Sequence, residues 1–149
     1  MLPFPVTIQP GESPVRQVVF AASKAILAGV LAPGDPFPSV REMSDALKLH
    51  PNTVQKVVAE LVRDGFIAVR PGVGTIVTSG PRAPDSERIR MLGDSIEQLV
   101  VESRRLGLKC AELLDAVDES WVATFGEKLK TGTHAAVSRA QKSLRRGRK

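Results

Sequence analysis

The chain is poor in the residues that do chemistry. Its 149 residues include one cysteine, Cys110, and two histidines, His50 and His134. One cysteine cannot close an internal disulfide, so no framework of bridges holds the fold. Cys110 stands on the apolar stripe of an expected helix, where a buried, inert thiol is the expectation. No metal-ligand spacing, phosphate-binding glycine loop or serine elbow occurs. Catalysis needs a nucleophile, a base and a stabiliser held together. The sequence therefore nominates no catalytic residue, no metal ligand and no cofactor. No apolar run approaches the ~20 residues of a membrane-spanning helix. The opening residues, M-L-P-F-P-V-T-I, lack the basic segment and apolar core of a signal peptide. A cytoplasmic protein without a membrane partner is the expectation.

Negative charge is scarce at one end. Residues 127–149 carry eight Lys/Arg and one Glu, whereas residues 1–126 carry thirteen Lys/Arg and fifteen Asp/Glu. The net charge of +5 and the pI near 9.8 thus belong to the tail. A role in binding nucleic acid has to be argued from local pattern rather than bulk charge.

Residues 1–12 are proline-rich and irregular, with Val6 to Gln9 a short extended arm at most. Ser13-Pro14 starts a helix, because serine caps and proline suits the first helical position. Val15, Val18, Val19, Ala22, Ile26 and Leu27 follow at helical spacing. A turn-rich breaker, Ala32-Pro33-Gly34-Asp35-Pro36, ends that segment. Ser39 and Glu42 form a capping box for a second helix with Val40, Met43, Ala46 and Leu47 inward. Lys48-Leu49-His50 is a tight joint. Pro51 opens a third helix with Val54, Val57, Val58, Leu61 and Val62 on one face, and Gly65 stops it. Two helices so closely joined meet at a steep angle, as in helix-turn-helix units. Ile67–Arg70 and Thr75–Thr78 flank the turn Pro71-Gly72-Val73-Gly74 and read as a hairpin.

The third helix leaves Asn52, Thr53, Gln55 and Lys56 free near its N-terminal end. A helix entering the major groove presents base-reading residues there. Asparagine and glutamine make paired bonds to adenine, lysine reaches guanine or phosphate, and threonine meets a thymine methyl. Arg41, one turn into the preceding helix, suits a phosphate or a guanine, and Arg70 with the Gly72–Gly74 tip suits the minor groove. A merely solvated polar face is the alternative. The charge of Ser39–Gly80, five Lys/Arg against four Asp/Glu, does not exclude it.

After a linker at 79–84, Ile89, Leu92, Ile96, Leu99, Ser103 and Leu106 recur at three-four spacing. They predict one helix over about 85–106 with an a/d seam, Ser103 being its polar member. Gly107 ends it. A further helix runs from about Lys109 to Val117 and on towards Phe125. The expected fold is mainly α with a small β wing: an N-terminal winged helix-turn-helix followed by a short two-helix dimerisation module. The expected domains are 1–80, 85–126 and a mobile basic tail at 127–149. Trp121 and Phe125 mark a candidate small effector cleft, core packing being the plainer reading.

These segments together resemble a known family. G-D-P-F-P-S-V-R-E-M-S-D-A-L, H-P-N-T-V-Q-K-V-V-A-E-L-V-R-D-G-F-I and R-P-G-V-G-T-I-V, with S-P-V-R-Q-V-V and A-G-V-L-A-P-G-D before them, are similar to the DNA-binding domain of the GntR family of bacterial transcription regulators. R-R-L-G-L followed by E-L-L-D-A-V resembles the short helical module of its YtrA subfamily. The resemblance implies a homodimeric repressor on double-stranded DNA at an inverted repeat, often in its own transporter-linked operon, with a small-molecule effector as a further partner. The contacts it implies fall on Arg41, His50, Asn52, Thr53, Gln55, Lys56 and Gly72. The chain departs from the family pattern with Pro71 and Val73 where the wing often has a cation, His50 where Ser or Asn is commoner, and Phe37 where Leu precedes Pro-Ser. A non-specific winged-helix architectural protein is the alternative reading, against which Asn52 and Gln55 argue.

Overall fold

In the computed structural model the described residues are 1–80 and 87–126, apart from the side chains of Arg88 and Ile89. Most of the 79–84 linker, His134 and the basic tail at 127–149 lie outside them. The elements in order are α1 (Pro14–Leu27), α2 (Val40–Leu47), α3 (Pro51–Arg63), β1 (Ile67–Arg70), β2 (Gly74–Val77), α4 (Arg88–Met91), α5 (Gly93–Arg105) and α6 (Cys110–Phe125). The chain divides into two compact units, Met1–Gly93 and Asp94–Lys149. The fold is mainly helical with a two-stranded antiparallel wing, as the residue pattern predicts.

In the first unit α1 and α2 both pack on α3. The Ser13 hydroxyl caps α1 and Pro14 occupies its first turn. Val18 and Ala22 of α1, Met43 of α2, and Val54, Val57 and Leu61 of α3 are fully buried. Each large apolar side chain so buried contributes roughly 1.5–3 kcal/mol by removal from water. Gly65 lies at φ +76°. There the Phe66 N–H donates to the Leu61 carbonyl at 2.9 Å, closing the end of α3 before the chain enters β1.

β1 pairs with β2 in the register Ile67↔Val77 to Arg70↔Gly74. Gly74 is thus a strand residue and the turn is three residues, Pro71–Val73, one fewer than expected. Residues 34–37 extend the wing on its other edge. The Phe37 N–H donates to the Thr75 carbonyl at 2.8 Å, and Pro36 bridges Ile76. This pairing ties the segment before α2 to the wing.

The N-terminal arm is part of the core rather than an irregular lead. Leu2, Phe4, Val6 and Ile8 turn towards the core while their odd-numbered neighbours face outward. Phe4 is 3% exposed, and its ring stacks on Phe37 at 5.9 Å between centroids. Gln17 of α1 holds the arm's end: its amide accepts from the Gln9 N–H at 2.7 Å and donates to the Gln9 carbonyl at 3.0 Å.

The single helix expected over 85–106 is interrupted. Leu92 is a turn residue between α4 and α5. Gly93 accounts for the break, since an interior glycine costs a helix about 1 kcal/mol relative to alanine. Ser103 is buried, and its hydroxyl donates to the Leu99 carbonyl at 2.6 Å. Gly107 at φ +83° ends the segment as predicted. α6 opens with the Lys109 N–H donating to the Glu112 carboxylate at 2.7 Å. Cys110 is exposed, contrary to expectation. It sits in the first turn, and α6 buries none of its residues.

Candidate nucleic-acid interface

Arg41 and the 50–56 candidates lie at the two helix N-termini of the helix-turn-helix, and Arg70 and Gly72 lie on the wing. The capping box forms as its sequence predicts. The Ser39 hydroxyl accepts from the Glu42 N–H at 3.2 Å, and the Glu42 carboxylate accepts from the Ser39 N–H at 2.7 Å. The Ser39 hydroxyl and then its backbone N–H hold the Glu42 carboxyl below the usual carboxylate range. Arg41 lies exposed in this first turn.

His50 caps α3. Its Nδ1 accepts from the Asn52 N–H at 3.2 Å, and Pro51 follows at the first helical position. An imidazole in the role usually played by serine or asparagine thus satisfies one of the helix's orphan donors. Asn52, Gln55 and Lys56 are exposed and Thr53 is half-buried. On the other side Val54, Val57 and Leu61 have no exposure at all. The polar residues of α3 are therefore held on a helix whose rotation is set by packing, as a reading surface requires.

Lys48, which the sequence marks only as part of the joint, has a special backbone conformation. It adopts the left-handed conformation, φ 56° and ψ 35°, alone among non-glycine residues in the described part of the chain. That conformation costs an L-residue roughly 1–2 kcal/mol. It makes the joint between α2 and α3, and its side chain is exposed. The available signal was a two-helix joint with no glycine to take the turn.

At the wing, Arg70 and Gly72 are exposed. Gly72 at φ +76° takes the turn, and no atom lies within 4 Å of where its Cβ would stand. Away from these elements, Trp121 and Phe125 lie one turn apart on α6 with ring centroids 5.0 Å apart. Trp121 is half-exposed and Phe125 half-buried. Of the seam residues, Ile96 and Leu99 are on α5, Leu92 is in the preceding turn, and Leu106 follows the last helical residue. All four are exposed, whereas the side chain of Ile89 is outside the described set.

Known proteins share both pattern and fold. The profile of the family described as "Bacterial regulatory proteins, gntR family" matches residues 14–77. YhcF of Bacillus subtilis, described as an uncharacterized HTH-type transcriptional regulator, is 34% identical over 87 residues, spanning 58% of this chain and 72% of YhcF. The chain belongs to the gntR family. This GntR-family chain is also similar to the HTH-type transcriptional repressor YtrA of Bacillus subtilis, at 28% identity over 118 residues, 78% of this chain and 87% of YtrA. The crystal structure described as a transcriptional antiterminator from Listeria monocytogenes EGD-e superposes with a TM-score of 0.71 over 85% of this chain and 96% of that one. At 23% identity that likeness shows the fold alone. The GntR-family chain is a transcription regulator and not an enzyme.

Proposed function

We propose that this chain is the protomer of a homodimeric, cytoplasmic repressor that reads an inverted-repeat operator in its own operon. In this reading residues 1–80 bind DNA and residues 85–126 pair across a two-fold axis. The observation that carries the DNA part is the exposure of Asn52, Gln55 and Lys56 on a helix whose opposite side holds the fully buried Val54, Val57 and Leu61. The His50 cap supports it by fixing the start of the helix that presents these residues, at the end where the helix dipole favours an anion. Arg41, Thr53 and the wing residues Arg70 and Gly72 complete the set of contacts. Repression is supported by the likeness to YtrA, a protein described as a repressor.

The pairing part is supported by unsatisfied apolar surface. Within Asp94–Gly126 only Ser103 is buried, although Ile96 is 44%, Leu99 47% and Trp121 49% exposed. A helical segment of that composition gains stability when a second copy covers it. A two-fold dimer would then set two recognition helices into successive major grooves about one turn, or ~34 Å, apart.

The test is a selection of duplexes from random DNA by the full chain, followed by Asn52→Ala and Gln55→Ala. Each variant should lose about five- to tenfold or more on the selected duplex and little on random DNA. Equal losses on both would leave a non-specific architectural protein. Sedimentation should find a dimer at micromolar concentration, with Leu99→Asp shifting it to monomer; a monomeric wild type would sink the pairing.

A further inference from the structure

We infer that the face of α6 formed by Asp118, Trp121 and Phe125 is a binding site for a small alkylammonium ion, which donates an N–H to Asp118 and lays its alkyl groups on the two rings. The site lies wholly within the helical unit and is independent of the operator-reading proposal.

The three residues stand at i, i+3 and i+7 of α6, so they share one face of the helix. Asp118 is half-buried, and its Oδ1 is shut off from water without a hydrogen-bond partner among the described residues. A buried acceptor left unpaired is costly, and more so when it carries charge. The ionisable side chains of α6, Cys110 apart, are Glu112, Asp115, Asp118 and Glu119. The helix has no Lys or Arg, so it offers Asp118 no cation of its own.

The rings supply the other half. The centroids of Trp121 and Phe125 are 5.0 Å apart, with the planes at 60°. Trp121 is 49% exposed, so its indole can be reached from solvent. Long side chains on a helix lean back towards its N-terminus, which carries both rings towards the turn that holds Asp118. Core packing does not account for the aromatic pair, since α6 buries none of its residues.

An alkylammonium ion meets both demands at once. Its N–H donates to the unpaired Oδ1 in a charge-assisted hydrogen bond. Its charge is drawn to the negative faces of the rings, to indole most strongly, and its alkyl groups cover apolar ring surface. Other classes of ligand meet only one demand or neither. An anion is repelled by Asp118 and its acidic neighbours on α6. A neutral alcohol leaves the carboxylate's charge unanswered. A hard metal ion takes oxygen ligands on all sides, and no group of three His, Cys, Asp or Glu that could hold one occurs among the described residues.

Trp121 is the only tryptophan of the sequence, which has no tyrosine, so the intrinsic fluorescence of the full chain reports on this face alone. The chain, in its native oligomeric state at neutral pH, is titrated with trimethylammonium chloride. Sodium chloride controls for ionic strength, and tert-butyl alcohol is the neutral probe of the same shape. Trimethylammonium should shift the Trp121 emission along a saturating curve with its midpoint in the low millimolar range, as suits a ligand of so few atoms. The alcohol should bind about tenfold more weakly or worse, and sodium chloride should give no saturation. Asp118→Asn should weaken trimethylammonium binding about tenfold or more, and Phe125→Leu about threefold or more. Glu119→Gln, at the exposed neighbouring carboxylate, should stay within about twofold of wild type. No saturating response below about 100 mM, equal binding of the alcohol, wild-type binding by Asp118→Asn or Phe125→Leu, or a loss in Glu119→Gln as large as in Asp118→Asn would each overturn the inference. Should Asp118→Asn not fold, the comparison of trimethylammonium with the alcohol on wild type decides alone.

Discussion

Phe4→Ala tests how the arm supports the DNA-facing half of the molecule. Phe4 is almost fully buried and stacks on Phe37, two residues before the Ser39 cap of α2. Truncating a buried phenylalanine costs ~3–5 kcal/mol, the upper part where the cavity does not collapse. The arm is a chain end and can relax, so about 3 kcal/mol is the expectation. With a urea slope of about 1.5 kcal/mol per M for a unit of this size, the midpoint should fall by about 2 M. Small domains have only ~5 kcal/mol or somewhat more to lose, so the variant should be folded at 10 °C and marginal at 37 °C. Phe4→Leu keeps most of the volume and should cost about 1–1.5 kcal/mol, or a midpoint shift below ~1 M. Urea titration followed by circular dichroism at 222 nm reads both. The order alanine, leucine, wild type is required. A Phe4→Ala midpoint within about 0.3 M of wild type would mean that the arm does not belong to the core, and the packing argument would fall.

Two further predictions concern the caps. His50→Ala should lower stability by about 1 kcal/mol through loss of the α3 cap, whereas His50→Asn should hold the wild-type midpoint, asparagine being a good capping residue; equal midpoints for the two variants would refute capping by Nδ1. Glu42 has its carboxyl pKa depressed in the fold by the Ser39 hydroxyl and N–H. Its contribution is therefore present above its unfolded value of about 4.3 and is lost as pH falls through the lower folded value. Glu42→Gln keeps an acceptor for the Ser39 N–H but removes the titration. Its urea midpoint should be less pH-dependent than wild type between pH 5 and 3, and parallel profiles would contradict the assignment.

What the sequence alone determined is local. Capping at Ser13 and Ser39, the stop at Gly65 and the turn before Gly74 follow from backbone preferences of single residues, which need no neighbour to act. The buried positions of α1, α2 and α3 follow from periodicity, because helical spacing shows which face is apolar, although Leu27, Ala46 and Val62, placed on those stripes by the same spacing, are exposed. The polar end of α3 was legible for the same reason, as the complement of that stripe. Tertiary structure decided what covers each face. The Leu2–Ile8 alternation is short and broken by prolines, so its burial depends on a groove built by residues 14–77 in which Phe4 meets Phe37. The pairing of residues 34–37 with β2 joins segments some forty residues apart, and no local preference encodes it. Lys48 takes a conformation that its own side chain disfavours because packing α2 on α3 requires a left-handed residue at that joint. Cys110 stands on an apolar stripe, yet it is exposed because no buried position of α6 forms among the described residues. Periodicity names the face of a helix that seeks a partner; only the fold says whether the chain contains one.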